Sequence, residues 1–187
     1  CTPSIFHMEN ILKLHKYNIN ILVEKPLIIN PLDLNLLSRL KRIIKDNDIK
    51  IGISFQYRFH PVINKIKDLL MEIKDLNIIA GTVVWTEYLP NWHPWEDYKK
   101  SYASSYYLGG GCHLTMSHPY DYLEYILGKI EFISCKALTG RLPIKVNQTI
   151  LSRIKSDNSL GVDIYLDFDS NINRHTISLH GKDWSIE

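Results

Sequence analysis

The chain has 187 residues, 45% hydrophobic and 22% charged, with a formal net charge of +2. That length suits one large domain or two small ones and can bury a real core, roughly 70% of the unfolded surface. The near-neutral balance, with Lys and Arg scattered, argues against nucleic acid or an anionic membrane surface as partner. No apolar run reaches bilayer-spanning length and no signal peptide is visible.

Ser4 is a good N-cap, and Ile5, Met8, Ile11 and Leu12 follow at helical spacing until Asn18 ends the run. Residues 20–23 read as a buried strand, which stops at Pro26 because proline has no N–H for a ladder. Asn30-Pro31 starts a second helix, with proline at its first position. Leu36, Leu37, Leu40, Ile43 and Ile44 form its apolar stripe, and Asp46-Asn47-Asp48 breaks it. Ile49 to Phe55 is another apolar strand. The alternation over residues 4–55 is the signature of a parallel α/β sheet.

The pattern changes near residues 57–60. His60-Pro61 starts a helix with Ile63, Ile66, Leu69, Leu70 and Ile73 on one side. Strand-like runs follow at 78–88, 129–138, 148–155, 160–169 and 174–180, interrupted by one helix at about 117–127. Consecutive strands with short turns imply antiparallel pairing. Asp157-Asn158-Ser159 and Ser170-Asn171-Ile172-Asn173 read as hairpin connections. The stretch from His180 to Glu187 reads as a turn and the beginning of a strand. The expected fold is α/β: part of a parallel sheet, then an α+β unit with a large, mostly antiparallel sheet.

Three segments carry candidate chemistry. Ile21-Leu22-Val23-Glu24-Lys25-Pro26 places a lysine at the carboxyl end of a strand, where open α/β sheets bind their ligands. Gly109-Gly110-Gly111 reads, taken alone, as a flexible loop, and no phosphate-loop spacing occurs in the chain. His118-Pro119 starts a helix, with Asp121 and Tyr122 on the same face as His118. The positive end of the helix dipole favours neutral imidazole by about 0.3–1 kcal/mol, the right sign for a general base, though Asp121 would oppose it by pairing with the ring. A capping role for His118 is the equal alternative. Trp92-His93-Pro94-Trp95-Glu96-Asp97-Tyr98, followed by Tyr102, Tyr106 and Tyr107, suits a sugar or polyol, whose C–H faces and hydroxyls match interleaved aromatic and polar groups. The three cysteines, Cys1, Cys112 and Cys135, make neither a disulfide framework nor a metal pair, so a reducing, cytoplasmic setting and no metal are expected.

Together these segments resemble the Gfo/Idh/MocA family of oxidoreductases, related to glucose–fructose oxidoreductase and inositol dehydrogenase. Thr2-Pro3 with His7 is similar to its T-P-x-x-x-H segment, and Glu24-Lys25-Pro26 matches E-K-P. Gln56-Tyr57-Arg58-Phe59 with His60-Pro61 looks like the inter-domain link, and Gly109-Gly110-Gly111, His118 and Asp121 look like the G-G-G…H-x-x-D segment. Order and spacing make the combination specific.

The resemblance implies an NAD- or NADP-dependent oxidoreductase acting on a hydroxyl or keto carbon of a sugar, sugar nucleotide or polyol, in a setting such as surface-polysaccharide biosynthesis. Residues 1–57 would belong to the nucleotide-binding Rossmann domain, and residues 58–187 to a substrate domain whose sheet forms a homo-oligomer. Lys25 and His118 would be catalytic, with the proline of E-K-P commonly following a cis bond. Thr2, Pro3, Glu24, Lys25, Pro26 and Arg58 would face the cofactor; Lys25, Trp95, Tyr98, His118 and Asp121 would face the substrate. Many members carry Asp four residues before the histidine; here that residue is Leu114, with Thr115 beside it, which leaves Lys25 and His118 to suffice. The glycine-rich turn of the first Rossmann half has no counterpart, so the chain reads as a fragment cut at both ends, expected to bind NAD(P) poorly by itself. A processed piece is the competing explanation of its ends, and a non-catalytic binding or assembly protein of the same ancestry is the competing function.

Overall fold

The computed structural model describes residues 2–30, 33–74 and 76–187. Two sheets, each with its own apolar core, organise them.

The first sheet has two parallel strands, β1 (Ile21–Val23) and β2 (Ile51–Ile53), in register Ile21↔Ile51 to Val23↔Ile53. Helices α1 (His7–Leu14) and α2 (Leu34–Asn47) pack against it, burying Met8, Ile11, Val23 and Leu40. Ser4 is not the N-cap: Ser4–Phe6 is a 3-10 turn that runs directly into α1, and no side-chain cap bond forms. Asn18 and Asp48 end their helices in the left-handed conformation, which short polar side chains tolerate. The predicted proline start of the second helix falls on Pro31, outside the described residues. The expected buried strand is buried only at Val23, and Leu22 is 77% exposed. Both helices join the core on the Val23 side, which leaves the Leu22 face uncovered among the described residues.

The second sheet has six strands in the order β4-β5-β6-β3-β7-β8. They are β3 (Ala80–Tyr88), β4 (Ile130–Leu138), β5 (Thr149–Ser156), β6 (Ser159–Asp167), β7 (Asp169–His180) and β8 (Ser185–Ile186). Helices α3 (Pro61–Glu72) and α5 (His118–Leu127) contribute to its core, with Ile63, Ile66, Leu70, Tyr122 and Leu123 buried. His60 caps α3 by accepting the Val62 N–H on Nδ1, at 3.2 Å.

The sheet is mostly antiparallel, as expected, and one local expectation fails. Ser170-Asn171-Ile172-Asn173 is not a hairpin connection but part of β7, because β3 lies between β6 and β7 and each pairs with it rather than with the other. The β3–β6 pairing is parallel, although the other pairings are antiparallel. Sequential strands need not be neighbours, and a strand inserted between two others is invisible to local pattern.

Candidate active site

Lys25 stands two residues beyond the end of β1, after Glu24, and the Lys25–Pro26 peptide is cis. The turn points its ammonium across to the second unit, where Nζ donates to the backbone carbonyl of Thr115. That carbonyl ends the short helix α4 (Cys112–Thr115), so it has no intrahelical partner of its own. Burial lowers the Lys25 pKa to about 8, against a smaller opposing effect from Glu24.

The glycine run builds this contact. It is buried and hydrogen-bonded rather than a flexible loop: Gly110 N–H donates to Ser105 O at 2.9 Å and Gly111 N–H to Ala103 O at 2.9 Å. A Cβ on Gly110 would stand 2.4 Å from the Ala103 carbonyl oxygen, and Gly111 has φ +99°. Larger residues cannot bring the chain so close to residues 102–103, nor start α4 at that angle. The Thr115 hydroxyl ties α4 together by donating to Gly111 O at 2.8 Å.

His118 opens α5 and is 3% exposed. Its ring lies 4.8 Å from the Tyr57 ring, 6.0 Å from Phe55 and 6.1 Å from Trp85. Its Nδ1 is buried without a hydrogen-bond partner among the described residues. Burial, then the nearby Lys25 and His175, lower its pKa to about 4, so the imidazole is neutral at pH 7. The expected sign therefore holds, but desolvation rather than the helix dipole is the main cause. Asp121 does not pair with the ring. It binds Arg58, accepting from Nη2 at 2.6 Å and from Nε at 2.9 Å. This two-pronged pair ties α5 to the link before α3 and takes up the Asp121 carboxylate.

Beside Lys25 lies a cavity of about 380 Å³ lined by Thr2, Pro3, Ser4, His7, Glu24, Lys25 and Tyr102. His7 shapes its wall, with Nδ1 2.8 Å from the Pro26 carbonyl and Nε2 3.0 Å from the Thr2 carbonyl. Tyr98 joins this region only indirectly, through a small pocket it shares with Tyr102. Trp95 is not brought there; its indole is 81% exposed and stacks on His93 at 5.2 Å.

Sequence reasoning missed the Thr115 carbonyl and Tyr57 as neighbours of the site, and named Tyr102 only within the aromatic run that suits a sugar. Backbone groups leave no residue-type signal, but the aromatic richness around Tyr102 was visible. Among the described residues no group of three His, Cys, Asp or Glu side chains converges to hold a metal ion.

No protein-family model matches the chain. It is 24% identical over 123 residues to YteT of Bacillus subtilis, which is named an oxidoreductase; the match covers 66% of this chain and 28% of YteT. The WlbA dehydrogenase of Bordetella pertussis, solved with NADH and UDP-GlcNAcA, superposes with a TM-score of 0.81 at 16% identity, over 97% of this chain and 52% of that one. An inositol dehydrogenase homologue of Azotobacter vinelandii, solved with NAD+, superposes with a TM-score of 0.81 at 15% identity, over 99% of this chain and 49% of that one. The chain thus spans about half the length of the solved structures it matches. Its fold is that of the corresponding half of the Gfo/Idh/MocA-type dehydrogenases.

Proposed function

We propose that the chain is most of a dehydrogenase or reductase that uses NAD or NADP and acts on a C–OH or keto carbon of a sugar, sugar nucleotide or polyol. The observation that carries this reading is the convergence of Lys25 and His118. Two distant segments bring a partly desolvated amine and a neutral imidazole close enough for the charge of one to lower the pKa of the other. Titratable groups so perturbed, side by side, mark functional sites.

The residues fit a nicotinamide cofactor. The cavity beside Lys25 lies at the carboxyl end of β1, where doubly wound sheets bind nucleotides, and its 380 Å³ falls in the range of about 300–1,000 Å³ for small-molecule sites. Thr2, Pro3, Glu24, Lys25 and Pro26 would hold the cofactor's reactive end, with Arg58 braced near it by Asp121. When bound, the nicotinamide supplies hydride transfer. The Lys25 ammonium then donates a hydrogen bond to the substrate oxygen and stabilises its developing negative charge. The His118 imidazole takes the hydroxyl proton in oxidation and returns it in reduction.

In this reading residues 1–57 form the cofactor side and residues 58–187 the substrate side. Tyr98 and Trp95 would contact the outer parts of the substrate. The outer face of the six-stranded sheet, where β4 is largely exposed and a groove of about 420 Å³ runs past Lys136, Leu151 and Tyr165, is the surface for a second copy of the chain. No helix among the described residues is long and apolar enough to cross a membrane, and the cytoplasm is the proposed setting.

Leu114 favours the second reading, a non-catalytic binding or assembly protein, because it offers no acid where many relatives carry one. NAD(P)H fluorescence separates the two. Protein from the complete coding region should shift the nicotinamide emission on binding, and absence of binding refutes the enzyme. Lys25→Ala and His118→Ala should each lower kcat about 100-fold or more. Unchanged turnover in both removes these residues from the mechanism.

A further inference from the structure

We infer that His175, through its Nδ1–H, is a substrate-binding donor that fixes the orientation of the sugar or polyol beside His118. This rests on the function proposed above.

The position comes from strand alternation. On β3, Val83 and Trp85 face the core, and their partners on β7 are Ile177 and His175. Along β7 this inner face runs Leu179, Ile177, His175, and passes from buried through half-buried to exposed. His175 is therefore a core-facing residue at the point where the core opens to solvent. That by itself would suit any polar side chain at a strand's wet end.

Its surroundings are more specific. The ring lies flat on Trp85 at 4.4 Å and 4°. The Tyr57 ring stands 5.3 Å from His175 and 4.8 Å from His118, so both imidazoles pack against one phenol. The Tyr122 hydroxyl, on a side chain that is 0% exposed, lies 3.1 Å from His175 Nε2. Tyr122 follows His118 by one turn of α5, so one helix positions both imidazoles.

The Tyr122 contact decides the tautomer. Burial pushes the Tyr122 pKa far up, so the phenol keeps its proton, and His175 Nε2 is its partner. A buried O–H left without an acceptor is destabilising, so Tyr122 donates and Nε2 accepts. Although the residue reaches solvent, the Trp85, Tyr57 and Tyr122 rings desolvate the imidazole, and this and then His60 lower the His175 pKa, which keeps the ring neutral. A neutral ring whose Nε2 accepts carries its hydrogen on Nδ1. No residue among those described takes that hydrogen. His118 thus offers an acceptor and His175 a donor, both beside the Tyr57 ring, which suits a ligand with several hydroxyls such as a polyol ring.

The test uses protein from the complete coding region. Long-range 1H–15N correlation should find His175 as the Nδ1–H tautomer, with Nε2–H appearing in Tyr122→Phe; an Nε2–H tautomer in the wild type overturns the inference. Titration with myo-inositol, D-glucose and UDP-N-acetylglucosamine as probes should move the Nδ1 resonance, and no movement with any of them overturns it too. With a probe that is turned over, His175→Ala should raise KM about tenfold, the worth of one hydrogen bond, with kcat within about twofold. His175→Asn, whose amide nitrogen stands near the Nδ1 position, should recover most of that loss. Unchanged KM in His175→Ala, or equal loss in the Asn variant, overturns the donor role. Probe binding without nicotinamide reduction refutes the dehydrogenase instead.

Discussion

Replacing Lys25 by methionine should separate stability from activity. The fold lowers the lysine from 10.5 to about 8. At 1.36 kcal/mol per unit, holding the ammonium in the folded state at pH 7 costs on the order of 3 kcal/mol. Methionine keeps the length of the side chain and removes that cost. It also removes the donor to the Thr115 carbonyl, and an orphaned buried carbonyl costs about 1–3 kcal/mol. The two effects nearly cancel, so Lys25→Met should be as stable as the wild type at pH 7, or about 1 kcal/mol more stable, while its turnover collapses. The pH dependence is the sharper signature. Between about pH 8 and 10.5 the unfolded chain holds a proton at Lys25 that the folded chain has released, so wild-type stability rises with pH there. The variant has no such group. Urea unfolding of both proteins from pH 7.5 to 10 should show the wild type gaining on the variant by about 2–3 kcal/mol. Other lysines and tyrosines titrate in both proteins and drop out of the difference. Parallel curves would show that Lys25 is not desolvated, and the electrostatic account of the site would fall with it.

Two further outcomes follow from the same geometry. The kcat/KM profile should be flat at neutral pH. It should fall as pH drops through about 4, where His118 gains a proton, and as pH rises through about 8, where Lys25 loses one; an acid limb near the ordinary histidine value refutes the desolvated His118. Gly110→Ala should destabilise the chain by about 2 kcal/mol or more, because its Cβ meets backbone oxygens of residues 102 and 103 that cannot step aside. Thermal unfolding reads this directly, and an unchanged Tm would mean that the chain approach at the glycine run is not tight.

Secondary structure was legible wherever periodicity ran long. The apolar stripe of α3 and the runs of β3 to β6 appear within two residues of their expected ends, while β7 begins five residues before its expected start. Short elements were not: α4 and the 3-10 turns at Leu89–Asn91, Tyr98–Lys100, Tyr102–Ser104 and Tyr106–Leu108 are too brief for any period to register. Ser4 shows a different limit. Its side chain could cap a helix, but the preceding 3-10 turn already joins α1 without a free first turn. At the site, Lys25 stood out because folding needs no lysine at the carboxyl end of a strand, where open α/β sheets bind ligands. His118 stood out by its place before Pro119.

Residue type and spacing determined the longer elements and the change from an alternating α/β pattern to a strand-rich one, and the motif resemblance singled out Lys25 and His118 as the residues most worth testing. Only the tertiary structure decided their state. The Lys25 pKa falls to about 8 because the turn after β1 carries the side chain into a buried position against the second unit. His118 stays neutral because Phe55, Tyr57 and Trp85, from two other segments, exclude water from its ring. His175, unremarkable in sequence, joins the site because β3 inserts beside β7 and sets Trp85 beneath it. Proton affinities and neighbours of this kind depend on what desolvates a group, and distant parts of the chain supply that only once it is folded.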